Sequence, residues 1–129
     1  MKKEIENIED IKKLVDTFYG KVREDELLAT IFNNIIQNRW PEHLAKMYRF
    51  WQTVLLKEYT YNGSPFLPHA KLPVSKEHFE RWLKLFNATV DEYFIGELTD
   101  RAKWQGERMA QMFNMKIEHY RNNPSQTPI

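Results

Sequence analysis

Ile11, Leu14, Val15, Phe18 and Val22 stand at i, +3, +4, +7 and +11, a stripe along one face of an α-helix. The same rhythm returns three more times along the chain, and no alternating strand pattern interrupts it. It predicts a first helix over residues 8–23, with Tyr19 on the edge of the stripe. A short element follows around "LLATIFNNII", with Leu28, Ile31 and Phe32 apolar. "RWPEHLAKMYRFWQTVLLKEY" opens the next helix, where Pro41 suits the first turn. Two apolar stripes overlap on it: Leu44, Met47, Trp51, Val54 and Leu55, and His43, Met47, Phe50 and Val54. A helix apolar over so wide an arc touches two things. Ser75 caps a further helix, with Glu77 in its first turn and Phe79, Trp82, Leu83, Phe86, Val90 and Phe94 apolar. Gly96 marks a break. Thr99 is expected to cap the last helix, which carries Ala102, Met109, Met112, Phe113, Ile117 and Tyr120.

The expected architecture is therefore all-α, with about four main helices in one domain over residues 1–121 and a flexible tail over 122–129. Of the six prolines, three lie between 65 and 73. They fall in a long connection from about Thr60 to Val74, with room for only a very short helical segment near His69. Helix connections in a small domain are commonly about 2–8 residues, and long ones often carry function.

Several classes of function are excluded by composition. There is no cysteine, hence no disulfide, thiolate nucleophile, iron–sulfur cluster or C-x-x-C-H haem attachment. The net charge of +1 argues against nucleic acid. "MKKEIENIED" has lysines but no apolar run behind them, and no segment approaches the ~20 apolar residues of a membrane span. The reading is a cytoplasmic protein. Aromatics are abundant: eight Phe, six Tyr and four Trp, with five Met beside them. They can fill a helical core, or they can wall a flat ligand.

The four histidines are His43, His69, His78 and His119. A helical di-iron site needs Glu three residues before a His; those positions hold Trp40, Phe66, Ser75 and Lys116. Spacings of 26, 9 and 41 residues do not make a zinc site, and no G-x-S-x-G turn offers a serine nucleophile. His119 reads as solvated and His78 as partly exposed. His43 shares a stripe with Met47 and Phe50, which suits a boundary histidine as well as a ligand-facing one. His69 stands between Pro68 and Pro73, a stiff frame for a side chain that must point one way. A single imidazole held beside a flat aromatic-lined space is what haem iron requires. Tyr19, His43 and Trp82 are the donor-bearing side chains on apolar helix faces. Composition and spacing are compatible with such a pocket and with an ordinary core.

Four segments in order carry a resemblance: "LVDTFYGKVREDELLATIFN", "WPEHLAKMYRFWQTVLL", "YNGSPFLPHAKLP" and "HFERWLKLF". Across residues 8 to 118 the chain resembles the truncated haemoglobins, specifically their third group, in which paired-glycine motifs are absent; here only the isolated Gly20 and Gly63 stand near those places. The resemblance implies a two-over-two helical sandwich around haem b. It implies His69 of "LPHAKLP" as the proximal iron ligand. It implies Tyr19, His43 and Trp82 on the distal side, and Phe18, Phe32, Met47 and Phe50 around the haem. Lys46 falls at a propionate-binding position. Met47 is a departure, since an aliphatic residue is as ordinary there. The implied ligands are O2, NO, CO or peroxide, with an unidentified reductase as electron donor and a monomeric protein. A polar distal pocket favours ligand activation or detoxification over bulk transport. The alternatives are a cofactor-free helical interaction module and a haem-based gas sensor.

Overall fold

The computed structural model describes residues 2–63, 69 and 72–123. Pro68, on one side of His69, lies outside the described residues, as do residues 124–129 of the expected tail. Five helices follow in order: α1 (Ile8–Glu24), α2 (Ala29–Ile36), α3 (Trp40–Leu56), α4 (Lys76–Tyr93) and α5 (Glu97–Asn122). α1 packs on α3, α4 packs on α5, and α1 against α4 joins the two pairs. This is the all-α architecture expected from the apolar stripes, in the two-over-two arrangement that the resemblance implies. Among the described residues no helix is long and apolar enough to cross a membrane.

The helix boundaries follow local chemistry. Asn7 caps α1 by accepting from Asp10 N–H at 3.2 Å. Pro41 lies in the first turn of α3, and Lys57, with φ of 58°, ends that helix in the left-handed region. Ser75 caps α4 as expected. His78 closes the box there, its Nδ1 accepting from Ser75 N–H at 3.0 Å. The start of α5 is different from the expectation. Thr99 does not cap it; Gly96 does, with φ of 111°, and Thr99 lies inside the helix, buried. The N-terminal segment accounts for this. Ile95 N–H donates to Lys3 O at 2.9 Å and Lys3 N–H to Tyr93 O at 3.3 Å. The Glu4 side chain then lies where a Cβ on residue 96 would sit, 2.6 Å away. Only glycine fits that backbone and that approach. Met112, expected on the buried face of α5, is 44% exposed; Gly106 and Ala110 are buried on that helix instead, beside Phe113 and Ile117.

The α1–α2 corner is pinned from α4. Asp25 ends α1, and its carboxylate accepts from Leu27 and Leu28 N–H at 3.0 Å each and from Arg81 Nη1 at 2.7 Å. Burial pushes its pKa up, but the two backbone donors and the guanidinium outweigh that and hold it below the usual value. Asp25→Ala is expected to lower stability by about 1–3 kcal/mol, the range for stranding part-buried donors. Denaturant unfolding of wild type and variant at neutral pH checks this. Because the folded-state pKa is depressed, the contribution is present at neutral pH and is lost as pH falls through the carboxylate range.

The buried apolar residues form two clusters. The larger joins α1, α3 and α4 through Leu14, Phe18, Trp51, Phe86 and Val90. The smaller is Val74, Phe113 and Ile117, with Phe79, Leu72 and Ile31 packed against it. A chain of this length can build one continuous core. Here residues of both clusters line one cleft, and Met109 packs against both.

Candidate functional site

The cleft is lined from both clusters. Tyr19 of α1, Phe32 of α2, and His43, Lys46, Met47, Phe50 and Trp51 of α3 contribute, with Trp82 of α4. His69, Leu72, Val74 and Phe79 complete it with Met109, Ala110 and Phe113 of α5. The two overlapping stripes of α3 thus have two neighbours: Leu55 enters the core, Trp51 is buried there and also borders the cleft, and His43, Met47 and Phe50 reach the cleft.

His69 belongs to the wall made by the smaller cluster. Its ring lies 4.8 Å from that of Phe113, at 33°. Leu72 N–H donates to His69 O at 3.1 Å. Among the described residues no three His, Asp or Glu side chains gather as a metal-ion site. A bare ion therefore has no donor set at His69. A metal whose other positions are filled by a planar ligand needs only one imidazole.

The larger cluster brings polar groups to the cleft. Tyr19 is 6% exposed, and its ring packs edge-on against His43 at 5.0 Å and Phe18 at 4.8 Å. Trp40 stands edge-on to His43 at 5.6 Å. Burial raises the pKa of the Tyr19 phenol far above its ordinary value, so it keeps its proton. Burial, then the positive charges of His69 and Lys46, lower the His43 pKa to about 4, so this imidazole is neutral at physiological pH. His43 Nε2 is buried with no hydrogen-bond partner among the described residues. Buried polar atoms are rarely left so, and an unpaired one at a cleft points to a missing ligand. Trp82 sits edge-on to Phe18 at 5.1 Å and parallel to Phe86 at 5.2 Å, 8° apart. Three side chains with N–H or O–H groups thus border one apolar space.

Phe18 stands one layer further back. It is 1% exposed and supports Tyr19 and Trp82 from behind without lining the cleft. The sequence reading missed the wall formed by Val74, Phe79, Met109 and Phe113, and it left His78 outside the site although that side chain borders the cleft. The capping position of His78, three residues after Ser75, was the available signal for its fixed orientation. With Nδ1 accepting from Ser75 N–H, the neutral ring carries its proton on Nε2.

These residues fit a haem. His69, the unpaired nitrogen of His43 and the donor-bearing Tyr19 and Trp82 line one cleft with aromatic and Met side chains around them. Lys46, exposed at the rim, offers a cation to acidic substituents. The comparisons with known proteins agree. A family model described as bacterial-like globin matches residues 4–118. The group 3 truncated haemoglobin of Campylobacter jejuni is 40% identical over 124 residues, which cover 93% of this chain and 98% of that protein. The crystal structure of the group III truncated haemoglobin from that organism superposes with a TM-score of 0.83, covering 91% of this chain and 95% of the other. Matches over nearly the whole length in both sequence and fold show that the chain belongs to the bacterial-like globins, as a group III truncated haemoglobin.

Proposed function

We propose that this globin holds haem b through His69 and uses it to bind O2 or NO tightly, for ligand activation or detoxification instead of carriage. Membership of the family implies haem-based gas binding; the rest is argued from the chain's own residues. The observation that carries the proposal is the set of three polar side chains, Tyr19, His43 and Trp82, that line the same cleft as His69. Burial alone raises the Tyr19 pKa, and His43 Nε2 is buried with no hydrogen-bond partner among the described residues. Haem supplies a ferrous iron at which O2, NO or CO can bind. With the group bound, the Tyr19 hydroxyl and the Trp82 indole N–H would each offer a donor to a diatomic ligand, a contact that favours O2, which draws charge on binding, over CO. His43, neutral and beside Tyr19, orients that phenol or closes the entrance behind the ligand. Phe32, Met47 and Phe50 exclude water from the space, which strengthens each donor. Lys46 pairs with a propionate at the rim.

Each hydrogen bond to a charged acceptor is worth about 1.5–3 kcal/mol, so two donors make release slow. Slow release serves poorly for delivery. It suits NO dioxygenation or peroxide chemistry, which need electrons from a separate reductase. We place the protein in the cytoplasm as a monomer. Ferric and ferrous absorption spectra of the purified protein, with and without CO, test the reading. A histidine-ligated haem spectrum is expected; a colourless protein that takes up no added haem would leave a cofactor-free helical module. Removing haem is expected to lower the melting temperature, since a ligand present at 100 times its Kd adds about 2.7 kcal/mol. Calorimetry of apo- and holo-protein checks this, and equal melting would contradict a haem that joins the two halves of the core.

A further inference from the structure

Gly106 lies in the middle of α5, buried, between Ala102 and Ala110 on the same face. Glycine is a poor residue for a helix interior, because it loses the most backbone entropy on ordering. Neither a positive φ nor a turn requires it there: it carries no left-handed backbone angle. The explanation lies across the interface with α4. A Cβ on residue 106 would stand 3.3 Å from Phe86 Cδ2 and Cε2 and 3.4 Å from Trp82 Cζ3. Those two rings therefore rest directly on the α5 backbone.

The two rings are not equally free to give way. Phe86 is 1% exposed and boxed by aromatic neighbours, with Phe18 edge-on at 5.2 Å and Trp51 parallel at 5.0 Å. Trp82 is only partly buried, and it borders the open cleft. A methyl group added at 106 presses first on Phe86 and then on Trp82; Phe86 is held on its other sides, so the ring able to give is Trp82, stacked on it at 5.2 Å and bordering the cleft.

We propose that Gly106 is a positioning residue that sets the width of the ligand side of the cleft: its missing side chain lets the Trp82 indole lie back against α5, and so fixes the bulk of ligand admitted. This rests on the haem reading for its ligand consequence, though the contact itself stands apart from it. Gly106 touches no ligand. It acts through Trp82, and its influence grows with ligand size.

The test compares Gly106→Ala, Trp82→Phe and the double variant as ferrous holo-proteins, with CO as the small probe and tert-butyl isocyanide as the bulky one. Gly106→Ala is expected to slow isocyanide association by about tenfold or more, an overpacking penalty acting at one wall, while CO changes by less than about threefold. The smaller Phe ring at 82 is expected to cancel that loss, so the two substitutions are strongly non-additive. Equal slowing of both probes, no slowing of either, or slowing that survives in the double variant would each overturn the proposal. The apoprotein gives an independent readout. Gly106→Ala should alter the near-UV circular dichroism of the indoles only when Trp82 is present; a change that persists in the Trp82→Phe background overturns the contact. If wild type binds no haem, the functional reading fails while this apoprotein cycle still decides the contact. If Gly106→Ala fails to fold, Trp82→Phe is expected to rescue it, and failure of rescue counts against the proposal.

Discussion

His69→Ala is expected to purify largely without haem. Losing a partner that merely orients a metal ligand costs about 10–100-fold in metal affinity, and losing the ligand itself costs at least as much. No second imidazole is positioned to replace it on the same wall, where the neighbours are Leu72, Val74 and Phe113. His43 packs against Tyr19 and His78 is committed through Nδ1 to Ser75. Free imidazole added to His69→Ala should restore haem uptake and the ferrous–CO spectrum, because the truncation leaves a space of the right shape beside Phe113. The variant apoprotein should melt close to wild-type apoprotein, which separates loss of a ligand from loss of a fold. An unchanged ferrous–CO spectrum in His69→Ala would move the iron ligand elsewhere.

How much of this was legible in the residues differs from element to element. The stripes on α1 and α3 were read correctly because 3.6-residue periodicity reports directly which face is buried. Every apolar residue assigned to the α1 stripe is buried. Periodicity does not report what a face is buried against. Phe113 and Ile117 looked like ordinary core, yet Phe113 lines the cleft and Ile117 does not. Phe18 and Tyr19 are neighbours about 100° apart around a helix. Only the crossing of α1 over α4 decides that Tyr19 reaches the cleft while Phe18 stays behind it. The cap at Thr99 failed for another reason. Its side chain is a good capping type, but the Lys3–Phe94 bridge brings the N-terminal segment against residue 96 and starts the helix there. That contact joins residues about ninety positions apart, and no local signal carries it. The role of Gly106 was invisible in the same way, since a lone glycine in a helical pattern shows its purpose only when the facing rings are known.

Tyr19→Phe is expected to speed O2 release by about 10- to 150-fold, the range for one hydrogen bond of about 1.5–3 kcal/mol at 1.4 kcal/mol per decade. The substitution removes one O–H and little volume. Packing on Phe18, Phe32, Trp40 and His43 is kept, because those contacts are made by the ring. The phenol is protonated at every physiological pH, since burial raises its pKa, so the lost group is a donor throughout. Burial alone causes that rise, with no hydrogen bond to the phenol contributing, so the apoprotein of Tyr19→Phe should be no less stable than wild type. That combination, unchanged folding with faster O2 release, marks a group held for its ligand and not for the core. CO release should respond less, because bound CO draws less charge onto its outer atom. Trp82→Phe removes the second donor but also opens space beside Gly106, so its effect mixes polarity with access. In the double variant the losses should not add, because both donors serve one acceptor. Stopped-flow displacement of O2 and CO from the four proteins checks each of these. If Tyr19→Phe leaves both release rates unchanged while apoprotein stability also holds, the hydroxyl does not reach the ligand, and the donor on that wall is His43, whose Nε2 is the buried nitrogen left unpaired.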